Sequence, residues 1–300
     1  MSVDKNRQIK TCSEYVTSYD KGRKLAKVLL LKEEFDKKGN LIVSEQYNEQ
    51  GSLFEKEQMS YDHGFLVKLV STDYNNISIE TNFTYKNEFL ISEVEQLSES
   101  EFLETTYTYD NDGALIGTLQ KDEEGNIYTR EVIKGDSSKT ITEIYSEEEL
   151  YQTDIYHYDE RGNEIKNINI KYSPYKELPE KRESKIVNES TYDSSDLLIS
   201  YKITENGLLV HEMKVTYDLK GNLIQTSIFN SDKKYLEIHK NLYSSKDLLV
   251  ERKVFFDKEL MTIFVYNYDS FDEILSFEKR EQLGLGEETV TLHLFEYTYH

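Results

Sequence analysis

Apolar and polar residues alternate along this chain in short runs with a period of two. Between 209 and 218, Leu209, His211, Met213, Val215 and Tyr217 fall on one face of an extended strand, and Val210, Glu212, Lys214, Thr216 and Asp218 fall on the other. In Thr262–Tyr268 and Val290–Phe295 apolar or aromatic residues occupy both phases, which predicts C-terminal strands covered on two sides.

The alternating runs are punctuated by one phrase: an aromatic, Asp or Asn, two polar residues, Gly, a small polar residue, then Leu or Ile. Its best copies start at Phe35, Tyr47, Tyr109, Tyr158 and Tyr217. Each pairs a side-chain acceptor with a glycine three residues later: Asp36 with Gly39, Asn48 with Gly51, Asp110 with Gly113, Asp159 with Gly162, and Asp218 with Gly221. The acceptor can take a turn N–H, and the glycine can adopt the left-handed conformation of a bulged hairpin loop. Weaker copies start at Tyr19, Tyr61, Tyr85, Tyr192, Phe229, Tyr243, Phe256 and Tyr268.

A turn roughly every 12 residues leaves about 8 per strand, and the chain then holds on the order of 20 to 25 strands. The expected fold is all-β, a long antiparallel meander of hairpin repeats. Its twist should coil it into a solenoid-like ribbon, a spiral or a partial shell. The expected organisation is an N-terminal segment 1–18, a repeat array 19–170, a charged excursion loop 171–187 holding Pro174 and Pro179, and a continuing array 188–300.

Composition narrows the function. The 300 residues carry 24 Tyr, 13 Phe, no Trp and a formal net charge of −21. Such charge repels phosphate backbones and anionic lipid, so neither nucleic acid nor membrane insertion is expected. Cys12 is the single cysteine, which excludes an intrachain disulfide and a Cys-based metal site. The first residues lack a signal-peptide apolar stretch, so the expected location is the cytoplasm, or the cell surface if a leader was removed.

The histidines do not fall in metal-ligand spacing, and phosphate-loop, nucleophile-elbow and zinc-protease motifs are absent. No catalytic, cofactor or metal residue is therefore assigned, and the chain is not expected to be an enzyme. The candidate partner surface is an acidic stretch, Glu143, Glu147, Glu148, Glu149 and Asp154, able to steer a basic partner. The alternative for such a stretch is a charged surface that keeps sheets from pairing.

The phrases Phe35–Leu41, Tyr158–Ile165 and Tyr217–Leu223 resemble the tyrosine-aspartate (YD) repeats of the Rhs family, and the looser pattern resembles bacterial repeat-type immunity and antitoxin proteins. In the Rhs family such repeats form a spiralling β-shell around a toxin. The self-cleavage Asp-Pro-Gly motif of that family is absent here, and some fifteen short repeats are expected to be too few to close a shell. The resemblance implies a non-enzymatic protein-binding role, as an immunity protein covering a basic toxin domain. A structural shell segment and a carbohydrate-binding sheet are the alternatives.

Overall fold

The computed structural model describes residues 8–20, 23–146, 149–172, 184–232, 235–283 and 287–300. Every described helix or strand element is a strand. There are 23, from Ile9–Asp20 to Glu287–Tyr299, in one antiparallel sheet. Apart from the two-residue spur Arg23–Lys24, they run for 7 to 13 residues, as the turn spacing requires.

The meander does not stay open. Strand Ile9–Asp20 pairs with Val28–Phe35 on one side and with Glu287–Tyr299 on the other, in a register running from Ile9↔Tyr299 to Tyr19↔Val290. The sheet therefore closes into a 22-strand β-barrel, which corrects the expected solenoid-like ribbon, spiral or partial shell. The closing pair joins residues almost a chain length apart. No local phrase encodes it, whereas leaving both terminal strands as open edges would expose two rows of unpaired backbone groups.

Two compact units make up the chain: Met1–Asn82 with His239–His300, and Phe83–Ile238. The 173–183 stretch of the expected excursion loop lies outside the described residues. On either side of it, Lys171 pairs with Ser184, so strand structure resumes at Ser184 within the 171–187 range. Likewise strand Ile9–Asp20 occupies much of the expected N-terminal segment.

Two turn chemistries build most of the described hairpins. In the first, the Oδ1 of Asp36 accepts the N–H of Lys38 at 2.7 Å and of Asn40 at 2.9 Å, while Gly39 sits at φ +86°. The same scheme recurs at Asn48, Asp110, Asp159 and Asp218. It also recurs without glycine at Asp73, Asp193 and Asp269, where Asn76, Asp196 and Asp272 take the positive φ. Asn and Asp tolerate that conformation better than other side chains. In the second, two consecutive residues have positive φ, as at His63-Gly64, Asn87-Glu88, Asn206-Gly207 and Asp257-Lys258. These dihedral signs are those of the hairpin turn whose twist matches its strands.

No described hydrophobic side chain is buried. In Thr262–Tyr268 and Val290–Phe295 both phases are half-buried, apart from the exposed Asn267, so the expected cover on two sides is partial and leaves no side chain there fully buried. Their aromatic content is explained within one face: Phe277 stacks on His293 at 4.1 Å and contacts Tyr266 and Phe295 at 5.7 and 6.1 Å between ring centroids. Cross-strand pairs of this kind, not a core, hold the sheet together.

Thr17 is 0% exposed, and its Oγ1 has no hydrogen-bond partner among the described residues. A buried hydroxyl without a partner costs about 1–3 kcal/mol, and an apolar group of the same shape does not incur that cost. Thr17→Val is therefore expected to raise stability by about 1 kcal/mol in urea unfolding; a loss of stability would show that the hydroxyl is satisfied.

Candidate functional site

In an antiparallel ladder, residues directly opposite one another share a face. Following the registers separates two chemically distinct faces in each unit. In the 83–238 unit one face carries Lys134, Lys166, Arg130 and Lys214. These cations have partners on their own face: Lys134 meets Glu143 at 2.8 Å, Lys166 meets Glu189 at 3.1 Å, and Arg130 lies 4.4 Å from the Tyr145 ring centroid.

The opposite face carries Glu93, Glu131 and Asp154 with Tyr107, Tyr156 and Tyr201. Among the strand lysines and arginines that the printed registers place in this unit, Lys171 alone shares it, at a strand end. Burial, with the nearby Glu93 carboxylate, pushes the Tyr107 hydroxyl up to about 12. Tyr156 is raised by burial and by Asp154, and Tyr201 by burial and by Glu164.

Four strands of the other unit show the same segregation, and the face of Glu33 takes Lys279 and Arg252 from the strands Ile274–Leu283 and Leu249–Phe256. Strands Val28–Phe35, Leu41–Tyr47, Leu53–Asp62 and Phe65–Asp73 place Lys32, Lys56 and Lys68 on one face, with Glu45 bridging the first two at 3.8 and 2.9 Å. Their other face receives Glu33, Glu55 and Glu57 and no Lys or Arg. Glu14 is on the face of Glu33 and meets His293 Nδ1 at 2.6 Å.

Burial raises the Glu33 carboxyl above its ordinary range. A carboxyl raised in the fold favours folding below its unfolded pKa, and that contribution fades as pH rises through the folded value. Glu33→Gln is thus expected to raise the thermal midpoint at pH 7, with the gap to the parent closing near pH 3.5. A gap independent of pH would exclude this cause.

The acidic stretch expected to meet a partner is not one surface. Glu143 lies on the lysine-bearing face, bound to Lys134 and to the Tyr145 hydroxyl. Asp154 faces the other way, because Glu143 stands opposite Thr153 and Thr142 opposite Asp154. It is 8% exposed and accepts amide N–H groups from Gln152 at 2.8 Å and Asn169 at 2.5 Å. Glu149 is exposed at a strand start, and Glu147 and Glu148 lie outside the described residues.

Linear reading missed the amides Gln152, Asn167, Asn169 and Asn188, which share one face with Asp154 over three successive strands. The signal was present in Glu164–Lys171, where Asn and Ile alternate, so that polar residues occupy the phase shared with the tyrosines.

A further feature explains the aromatic of the repeated phrase. The Tyr109 hydroxyl donates to Leu90 O at 2.9 Å, Tyr217 to Leu198 O at 2.9 Å and Tyr268 to Leu249 O at 2.8 Å. Tyr192 and Tyr297 do the same to Glu164 O and Ile274 O at 3.2 and 3.0 Å. Each tyrosine thus latches the end of its strand to the start of the preceding one.

No known family profile matches the chain, and no curated protein matches it. Among solved structures, the chain is similar to the crystal structure of TcdB2-TccC3-Cdc42 at 11% identity and a TM-score of 0.36, over 84% of this chain and 15% of that one. It is similar to the Photorhabdus luminescens Tc holotoxin pore at 12% identity and a TM-score of 0.36, over 84% and 15%. A porin-like protein from Bacteroides uniformis matches at 11% identity and a TM-score of 0.31, over 97% and 98%. The chain thus spans about 15% of the first of these structures, and likenesses this faint carry no argument about what it does.

Proposed function

We propose that this chain is a non-enzymatic binding protein that holds a basic polypeptide against its acid-rich, tyrosine-lined sheet face, as an immunity or antitoxin protein covers a basic toxin domain. The observation that carries the reading is the segregation of charge between faces. In the 83–238 unit lysines and arginines lie together with carboxylates or rings on one face, while Glu93, Glu131 and Asp154 stand on the other, where the registers place Lys171 as the one strand cation. Carboxylates collected this way speed the approach of a cationic partner and fix its orientation, with a strong dependence on salt.

The same registers disfavour a lipid-facing role. Lys134 and Lys166 occupy one face and Glu131 and Asp154 the other, where a membrane barrel needs an outward apolar band. A second reading, a structural shell segment that encloses other chains, is favoured by the pairing of the first and last strands.

The test compares two double variants of the 83–238 unit binding a cationic polypeptide. Glu93 and Glu131 changed to Gln should weaken binding strongly, whereas Glu143 and Glu189 changed to Gln should weaken it only slightly. Equal losses would mean that net charge alone acts, and would remove the face-specific reading.

A further inference from the structure

Asp154, Asn169 and Asn188 lie on three successive strands of the 83–238 unit, Glu149–Tyr158, Glu164–Lys171 and Ser184–Tyr192, and share its acid-rich face. Asp154 stands opposite Asn169, and Asn167 opposite Asn188. Asn169 and Asn188 are therefore diagonal neighbours, about 7–8 Å apart.

The row has more acceptors than donors. The Oδ1 atoms of Asn169 and Asn188 are shielded from solvent and have no hydrogen-bond partner among the described residues. Each Asp154 oxygen accepts one amide N–H, which leaves acceptor capacity on an 8% exposed carboxylate. Buried acceptors without donors are rare in folded proteins and point to a missing partner.

The complementary group is cationic, rich in donors and without acceptors. A guanidinium has five N–H donors in a planar fork and stacks on aromatic rings, which Tyr156 and Tyr201 supply on the same face. An ammonium offers three donors from one point and no plane. The terminal torsion of an asparagine is soft, so turning the two amides brings their carbonyls out to meet such a group.

We infer that this row is an arginine-anchoring site, taking the guanidinium of one arginine in the basic segment that the face holds; the inference rests on that reading of the face. Its test uses the full chain with a six-arginine and a six-lysine peptide of equal charge, titrated by calorimetry at low salt. The parent should bind the arginine peptide roughly tenfold more tightly, the gain of charge-assisted forked hydrogen bonds. Asn188→Leu should lose that preference and keep its affinity for the lysine peptide. Removing an orphan acceptor leaves the fold intact, which circular dichroism checks. Asn188→Asp, with acceptors only at the same place, should retain or increase the preference.

Equal affinity of the parent for the two peptides, or a preference that survives Asn188→Leu, would overturn the anchor and leave the charge-based reading standing. No binding of either peptide would overturn both.

Discussion

Alanine at Gly135 will destabilise the protein by roughly 3–5 kcal/mol, in the range reserved for a named steric fault. Gly135 ends strand Ile127–Gly135 at φ +146°, opposite Thr140. A Cβ there would lie 2.0 Å from Lys139 O and 2.8 Å from Thr140 Cα. Those backbone atoms cannot easily retreat. Lys139 O accepts the Asp136 N–H at 2.9 Å, and Asp136 Oδ1 accepts the N–H groups of Ser138 and Lys139 at 2.8 and 3.1 Å. Gly162 is the control: it sits at φ +88° with nothing within 4 Å, so alanine there meets only left-handed strain, about 1–2 kcal/mol. Urea unfolding of both variants measures the difference, and equal losses would deny the close approach at Gly135.

Changing Tyr109, Tyr217 and Tyr268 together to Phe should cost about 3 kcal/mol, close to 1 kcal/mol for each lost hydroxyl-to-carbonyl bond. The three latches share no partners, so their effects should add. Tyr74→Phe serves as control, because that ring is 65% exposed. Burial raises the Tyr217 and Tyr268 hydroxyls, which disfavours their ionisation in the fold. The stability they contribute is complete below the ordinary tyrosine range and is lost as pH rises through their raised values. The parent should therefore lose stability in alkali more steeply than the triple variant. Parallel pH profiles would mean the hydroxyls do not hold the strands.

What could be read from the linear sequence follows the range of each interaction. The Asp36–Gly39 and Asp218–Gly221 turns are legible because acceptor, donor and glycine lie within a few residues of one another. Strand Leu208–Tyr217 shows the limit: the bulge between Ile203 and Thr204 shifts Leu209 out of phase with His211, Met213, Val215 and Tyr217. The latches reach to the neighbouring strand, and their tyrosines were visible while their acceptors were not. The Asp154 amide row needs the register of three strands at once, and the pairing of Ile9–Asp20 with Glu287–Tyr299 needs nearly the whole chain.

That last pairing governs how the molecule is made. Most ladders here join neighbours in sequence and can zip as the chain emerges from the ribosome, but the seam brings together segments about 280 residues apart. Loop-closure entropy grows slowly with length, so the seam costs little more at equilibrium than a shorter closure. In time it costs more, since pairings of high sequence separation form late and slowly. Until Glu287–Tyr299 has been synthesised, one side of Ile9–Asp20 is an unsatisfied template that any other nascent copy can join. Yield from refolding should accordingly fall with protein concentration, through capture of one chain's first strand by another chain's last.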